Sequence, residues 1–243
     1  MRFSNKNQPV AVDEENPYWM SFSDIMASLL VIFILATAAL ILELVNKREE
    51  IEQNIDELTK AESVRQEVLK EIEKDLKDKN IPIEIADNDT VLRIPEKALT
   101  FESSRWDISS DSEHIVKEIG ETVYFHIKKD ERWQYFDTIF VEGHTDNQQY
   151  KNNPRGNWDL STSRAVSIWY YWTTQLNIGE ALKAQRNYSG NNLFSVSGYA
   201  DTRLAETNCI SAECHSKNRR IDIRFTVKKP VINDYKAIKE QLN

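Results

Sequence analysis

Hydrophobic and polar positions along the 243 residues fall into three successive regimes. From Ile25 to Leu42 no residue is charged, and only Ser28 and Thr37 are polar. At roughly 1.5 Å per residue, a helix over this run matches a bilayer core of about 30 Å. With Pro17 near its start and Tyr18 and Trp19 as interfacial aromatics, the pattern predicts a transmembrane helix over 17–44. It follows a polar tail, 1–16. One acid, Asp24, stands at the head of the oily run.

From 45 to 79 the chain is highly charged, with an apolar thread. Alternate steps of four and three from Leu44 reach Arg48, Ile51, Ile55, Leu58, Glu62, Arg65, Leu69, Ile72 and Leu76, seven of the ten being apolar. That fits a two-stranded coiled coil. A single amphipathic helix lying on its own domain is the alternative. So narrow a stripe favours self-pairing, and hence a homodimer. The amphipathic stretch from Glu43 to Glu57, just past the span, is a candidate plug segment on position and stripe, to be tested by deletion.

Asn80-Ile81-Pro82 then breaks the helix. Beyond it, "IPIEIADNDTVLRIPEKALTF" alternates as two short strands around an Asp-Asn-Asp turn. "SDSEHIVKEIGETVYFHIKK" reads as a helix with Ile115, Ile119 and Val123 on one face. "YFDTIFVEGHTD" is a buried strand entering a polar loop. "LSTSRAVSIWYYWTTQL" is a helix with a Ser cap, "LFSVSGYAD" a strand and loop, and "NRRIDIRFTVKK" a last alternating strand. Residues 80–228 therefore predict one α+β domain, a mixed sheet with helices on one face. A polar tail, 229–243, follows.

Composition narrows the function. The net charge of −8 and the lack of a basic helix argue against direct nucleic-acid binding. Mean hydropathy is negative, so the apolar run is a local feature. That run begins after Asp13, Glu14 and Glu15 and is too long for a usual signal-peptide core, which reads as an uncleaved anchor. Arg2 and Lys6 on one side, and Lys47 and Arg48 on the other, do not decide orientation. The two cysteines, Cys209 and Cys214, suit an oxidising compartment and place the C-terminal domain outside the cytoplasm. A zinc set from Cys209, Cys214, His215 and His144 is an incomplete ligand list, so a disulfide is favoured and no metal expected. No acid/base pair suited to glycan cleavage stands out, so a binding protein is expected rather than an enzyme.

Three polar loops carry the remaining chemistry: "EGHTD" (142–146), "NWDLSTSRA" (157–165), and "GYAD" with "NRRID" (198–201 and 218–222). They offer a carboxylate (Asp146), guanidinium groups (Arg164, Arg219, Arg220), and amides and hydroxyls (Asn157, Ser161, Asn218). Asp146 suits an ammonium and Arg164 a carboxylate, together the equipment for a zwitterion. An internal salt-bridge network closing the domain is the competing reading.

The order and wording of these loops resemble the OmpA-like peptidoglycan-binding domain, over about residues 80–228. The resemblance implies that Asp146 and Arg164 clamp the diaminopimelate of the stem peptide, with Thr145, Asn157, Leu160 and Arg219 in the same site. Two departures stand out: "NQQYKNNPRG" is a longer loop than usual, and "CISAECHSK" replaces the Gly-Arg pair before "NRR".

"WMSFSDIMASLL" after a short tail, with one span, a stalk and such a domain, resembles the B subunits of the MotA/MotB stator family. That resemblance implies an inner-membrane protein with a cytoplasmic N-terminus. It implies a homodimer inside a ring of A subunits, expected to be five, held still by the cell wall. Asp24 would be the ion-carrying carboxylate, with no cofactor beyond the translocated H⁺ or Na⁺. Low dielectric favours the neutral, ion-loaded form of a carboxylate enclosed by helices. Ala27, Ser28, Ala36, Ala38 and Ala39 would allow close helix packing. Read alone, Ser21, Ser23 and Asp24 offer another explanation, a helix cap. Within the family, "NPYWMSFSDIMASLLVIFILATAAL" is closer to the anti-phage defence branch of the Zorya type than to flagellar stators.

Overall fold

The computed structural model describes residues 17–102, 104–150 and 154–229. The expected N-terminal and C-terminal tails lie outside these residues. The chain divides into two units, 1–53 and 54–243.

The first unit holds the start of helix α1 (Pro17–Asp78). It contains a stretch long and apolar enough to cross a membrane, and its described side chains there are almost all exposed. The helix begins at Pro17 with no acid in its first turn. Asp24 therefore lies seven residues in, about 10 Å along the axis. That is beyond the first turn, where a side chain can cap free N–H groups, so the capping explanation for Asp24 fails.

The second unit begins within α1, at Asn54, and continues through β1 (Glu84–Ala86), β2 (Val91–Pro95), α2 (Ser110–Lys128), β3 (Phe136–His144), α3 (Asn157–Gln175), α4 (Gly179–Ala184), β4 (Phe194–Gly198), α5 (Ala212–Asn218) and β5 (Arg220–Val227). The sheet order is β1-β2-β5-β3-β4. Only β3 and β4 run parallel, joined through α3 and α4, so the sheet is mixed as the alternation predicts. The Asp87-Asn88-Asp89 turn between β1 and β2 takes the left-handed conformation, which Asp and Asn tolerate best.

Period-two alternation sorts the strand faces. Leu92 and Ile94, Ile139 and Val141, and Ile221, Ile223 and Phe225 point into one core. That core is covered by Val116, Ile119, Val123 and Ile127 of α2, and by Ala165, Ile168 and Trp172 of α3. Trp172 lies against Gly120 and donates its indole N–H to the Val116 carbonyl at 2.7 Å.

The apolar thread of α1 supplies the rest of the cover over residues 68–76, which corrects the expectation of a self-paired coiled coil for that stretch. Val68, Leu69, Ile72 and Leu76 are fully buried in this same core. Full burial of one such side chain is worth about 1.5–3 kcal/mol, and these groups cannot also form a dimer seam. Ile55 remains exposed. The docked face is fastened by charge. Arg132 pairs with Glu67 and Glu71, Lys129 pairs with Glu71, and buried His126 sits between Glu71 (2.9 Å) and Asp75 (2.8 Å). Asn80 ends the helix in the left-handed region, its N–H bonded to Lys77 and that of Ile81 to Leu76.

Candidate functional site

The site assembles where α3 starts against the ends of β3 and β4. Gly143 and Gly198 are register partners on these parallel strands. A Cβ on Gly143 would land on the Ser161 carbonyl, and one on Gly198 on the Thr162 amide. Two adjacent glycines thus let the helix rest directly on strand backbone. Ser161, expected as a cap, lies inside α3, which begins a turn earlier at Asn157. Its hydroxyl donates to the Trp158 carbonyl and accepts the Ala200 N–H, tying helix to strand loop.

This seat brings five of the sequence-predicted residues to one cavity of about 340 Å³: Asp146, Asn157, Leu160, Arg164 and Arg219. Asp146 follows β3 and is buried. Its Oδ1 accepts the Gln148 N–H, and its Oδ2 accepts Arg219 Nη1 at 2.5 Å. Asn157 works on the loop rather than the opening. Its amide donates to the carbonyls of Asp146 and Gln148 and accepts the Tyr150 N–H. Thr145 is buried and does not line the cavity, and its hydroxyl has no partner among the described residues.

Arg164 is the unmatched group. It is only 5% exposed, its Nε donates to the Arg105 carbonyl at 3.0 Å, and its guanidinium lies 5.0 Å from the Phe101 ring centroid. Its terminal nitrogens have no hydrogen-bond partner among the described residues. Burial pushes its pKa down to about 10, so the cation persists at neutral pH without a carboxylate of its own. Arg219 is the opposite case: Glu96 takes its Nε and Nη2, both at 2.6 Å, and Asp146 takes Nη1. These bonds, those of Glu96 foremost, raise the Arg219 pKa despite burial. Two acids and two guanidinium groups make the cavity neutral.

Sequence reasoning missed Glu96, Phe101 and Tyr150, which also line the cavity. The signal for Glu96 was an acid just past β2 in "RIPEKALTF", close in sequence to an aromatic. Two candidates belong elsewhere. Arg220 lies on the sheet face opposite Ile221 and the core and pairs with Asp222, while Asn218 binds the Glu206 backbone. That face carries a buried ion-pair layer, with Glu142 on Arg224 and Asp222 shared by Arg93 and Arg220. His144 lies 3.5 Å from Asp222 and 3.9 Å from Glu142, and burial pushes its pKa down. Glu142, His144 and Asp222 are close enough to share a cation, but both carboxylates already hold arginines.

Cys209 and Cys214 form the expected disulfide, which rules out their part in a zinc set. The disulfide ties the loop before α5 to Cys214 in the first turn of that helix, whose C-terminal neighbour is Arg219.

Residues 100–219 match the profile of the OmpA family. Among solved structures, a MotB-like protein from Desulfovibrio vulgaris aligns at 16% identity and a TM-score of 0.51, over 70% of this chain and 99% of that one. The periplasmic domain of Helicobacter pylori MotB aligns at 21% identity and a TM-score of 0.46, over 66% and 90%. The cell wall anchor of the T6SS from Pseudomonas aeruginosa aligns at 21% and 0.45, over 65% and 95%. No curated protein matches the chain. The chain combines a long apolar N-terminal helix with an OmpA-like α+β domain.

Proposed function

We propose that the chain is the peptidoglycan-anchored B subunit of an ion-driven rotary motor of the inner membrane, serving anti-phage defence of the Zorya type. The observation that carries the anchor is Arg164, a buried guanidinium facing an open cavity with no carboxylate of its own. A salt-bridge network built only for stability would have paired it, because an unmatched buried charge is costly. A diaminopimelate side chain ends in one carboxylate and one ammonium. Its carboxylate meets Arg164 and its ammonium meets Asp146, and the neutral cavity stays neutral. The domain binds the wall and does not cleave it.

The motor half rests on Asp24 and the resemblance to stator B subunits. Asp24 is the only charge between Pro17 and Leu42, and it is placed too deep to cap the helix. Two copies inside a ring of MotA-like A subunits enclose this acid. Loading it with H⁺ or Na⁺ neutralises it, and crossing the membrane yields about 2.3 kcal/mol per charge per 100 mV. The cell wall takes up the reaction torque through Arg164 and Asp146. The tail before α1 is cytoplasmic and the OmpA-like domain periplasmic, as the disulfide suits.

Phage plating on cells carrying the whole locus tests this, comparing wild type, Asp24→Asn and Arg164→Ala, with co-purification of the A subunit as the assembly control. Both variants assemble and lose protection on this account. A protective Asp24→Asn variant refutes the motor and leaves a passive wall tether. A wild type that never protects refutes the defence role and turns the test to motility.

A further inference from the structure

The cavity holds a second carboxylate that the zwitterion clamp does not use. Glu96 lies just past β2, and both its oxygens are taken by one guanidinium, that of Arg219. Burial is the largest single influence and would raise its pKa, but hydrogen bonding to Arg219 and Ser216 and the charges of Arg219 and Arg164 together hold it below the usual carboxylate range. Glu96 is therefore charged at neutral pH, and fork-to-fork pairing fixes Arg219 in place. Two nitrogens of Arg219 are consumed this way, and the third reaches Asp146.

Without Glu96, Arg219 would turn two free donors toward the opening that Arg164 already faces, and the cavity would carry a net positive charge. Asp146 would also be its sole anionic partner and would be drawn away from any ligand cation. Such a cavity favours anions. We propose that Glu96 is the specificity-determining residue of this site. By neutralising Arg219 it leaves Arg164 as the one guanidinium open to a ligand. The cavity then selects a group bearing one carboxylate and one ammonium over a group bearing carboxylate alone. This inference rests on the reading of the cavity as a diaminopimelate clamp.

The test is equilibrium binding of the full chain in detergent to two synthetic stem peptides. One carries diaminopimelate. The other carries 2-aminopimelate, which keeps the terminal carboxylate and lacks the ammonium. Wild type prefers the first by about tenfold or more, the value of one charge-assisted hydrogen bond. In Glu96→Gln that ratio narrows to within about threefold, largely through tighter 2-aminopimelate binding. Arg219→Gln, which leaves the cavity net negative, moves the ratio the other way. It carries the test alone if the Glu96 variant does not fold by circular dichroism. An unchanged ratio in a folded Glu96→Gln, or no widening in Arg219→Gln, overturns the role of Glu96 and leaves the clamp standing. Wild type binding neither peptide sinks the clamp and this inference together.

Discussion

Replacing Gly143 by alanine tests how the site is built. The new Cβ would overlap the Ser161 carbonyl oxygen and sit 2.7 Å from its carbon. Ordinary van der Waals contact needs about 3.5 Å, so α3 must lift by roughly 1.5 Å or the strand must yield. Neither partner is a flexible side-chain end; both are backbone, in a helix and a strand held by neighbours on both sides. Overpacking of this kind costs about 1–3 kcal/mol, and the full figure is expected here. The damage is also directional. Asp146 lies three residues after Gly143, and Arg164 three after Ser161, so lifting the helix separates the two charges of the clamp. Recognition geometry tolerates about 0.5 Å, so binding should fall about tenfold or more even where the variant is fully folded. The assay pairs chemical denaturation with co-sedimentation on purified sacculi. Gly190→Ala is the control: its φ of +81° carries strain of about 1 kcal/mol, but a Cβ meets nothing within 4 Å. It should lose some stability and keep binding. A Gly143→Ala variant with wild-type stability and sacculus binding would refute the seating of α3 on bare strand.

Other perturbations reach the rest of the fold. Ile72→Ala should cost about 2–5 kcal/mol in denaturant unfolding of the full chain, while exposed Ile55→Ala should change stability by no more than about 0.5 kcal/mol; equal effects at both sites would restore the coiled-coil reading. The hydrogen bond from Arg132 pulls the Glu71 carboxyl down from 4.5 to about 2. A depressed carboxylate contributes its stability in full above its ordinary value and loses it as pH falls, so docking of α1 should weaken between about pH 4.5 and 2, read from tryptophan fluorescence. Glu71→Gln should flatten that acid transition. Breaking the Cys209–Cys214 staple by Cys→Ser at both positions should cost about 2 kcal/mol for so short a loop, and should lower the melting temperature by roughly 4–8 °C.

Much of this architecture is legible from residue spacing. The strand pattern of "YFDTIFVEGHTD" and "NRRIDIRFTVKK", the Asp-Asn-Asp turn and the disulfide follow from periodicity, turn chemistry and redox context. The fate of the apolar thread does not. Leu69, Ile72 and Leu76 recur at spacings that serve a dimer seam or a docking stripe equally well, and tertiary packing decides between them. The basic partners that dock the helix, His126, Lys129 and Arg132, lie more than 50 residues away, so no local window shows them. In the cavity, Asp146, Asn157, Leu160, Arg164 and Arg219 stand out because their motifs are compact. Glu96 does not, because its meaning depends on Arg219, which lies 123 residues further on. Arg220 misleads for the opposite reason: one residue along a strand points a side chain to the other face.

The most direct measurement of the central claim is binding of the full chain in detergent to diaminopimelate-containing sacculi, wild type against Arg164→Ala. Loss of a buried, charge-assisted contact of this kind is worth about 2–4 kcal/mol, so binding should drop at least about thirtyfold while circular dichroism stays unchanged. A folded Arg164→Ala variant that holds sacculi as tightly as wild type would contradict the account.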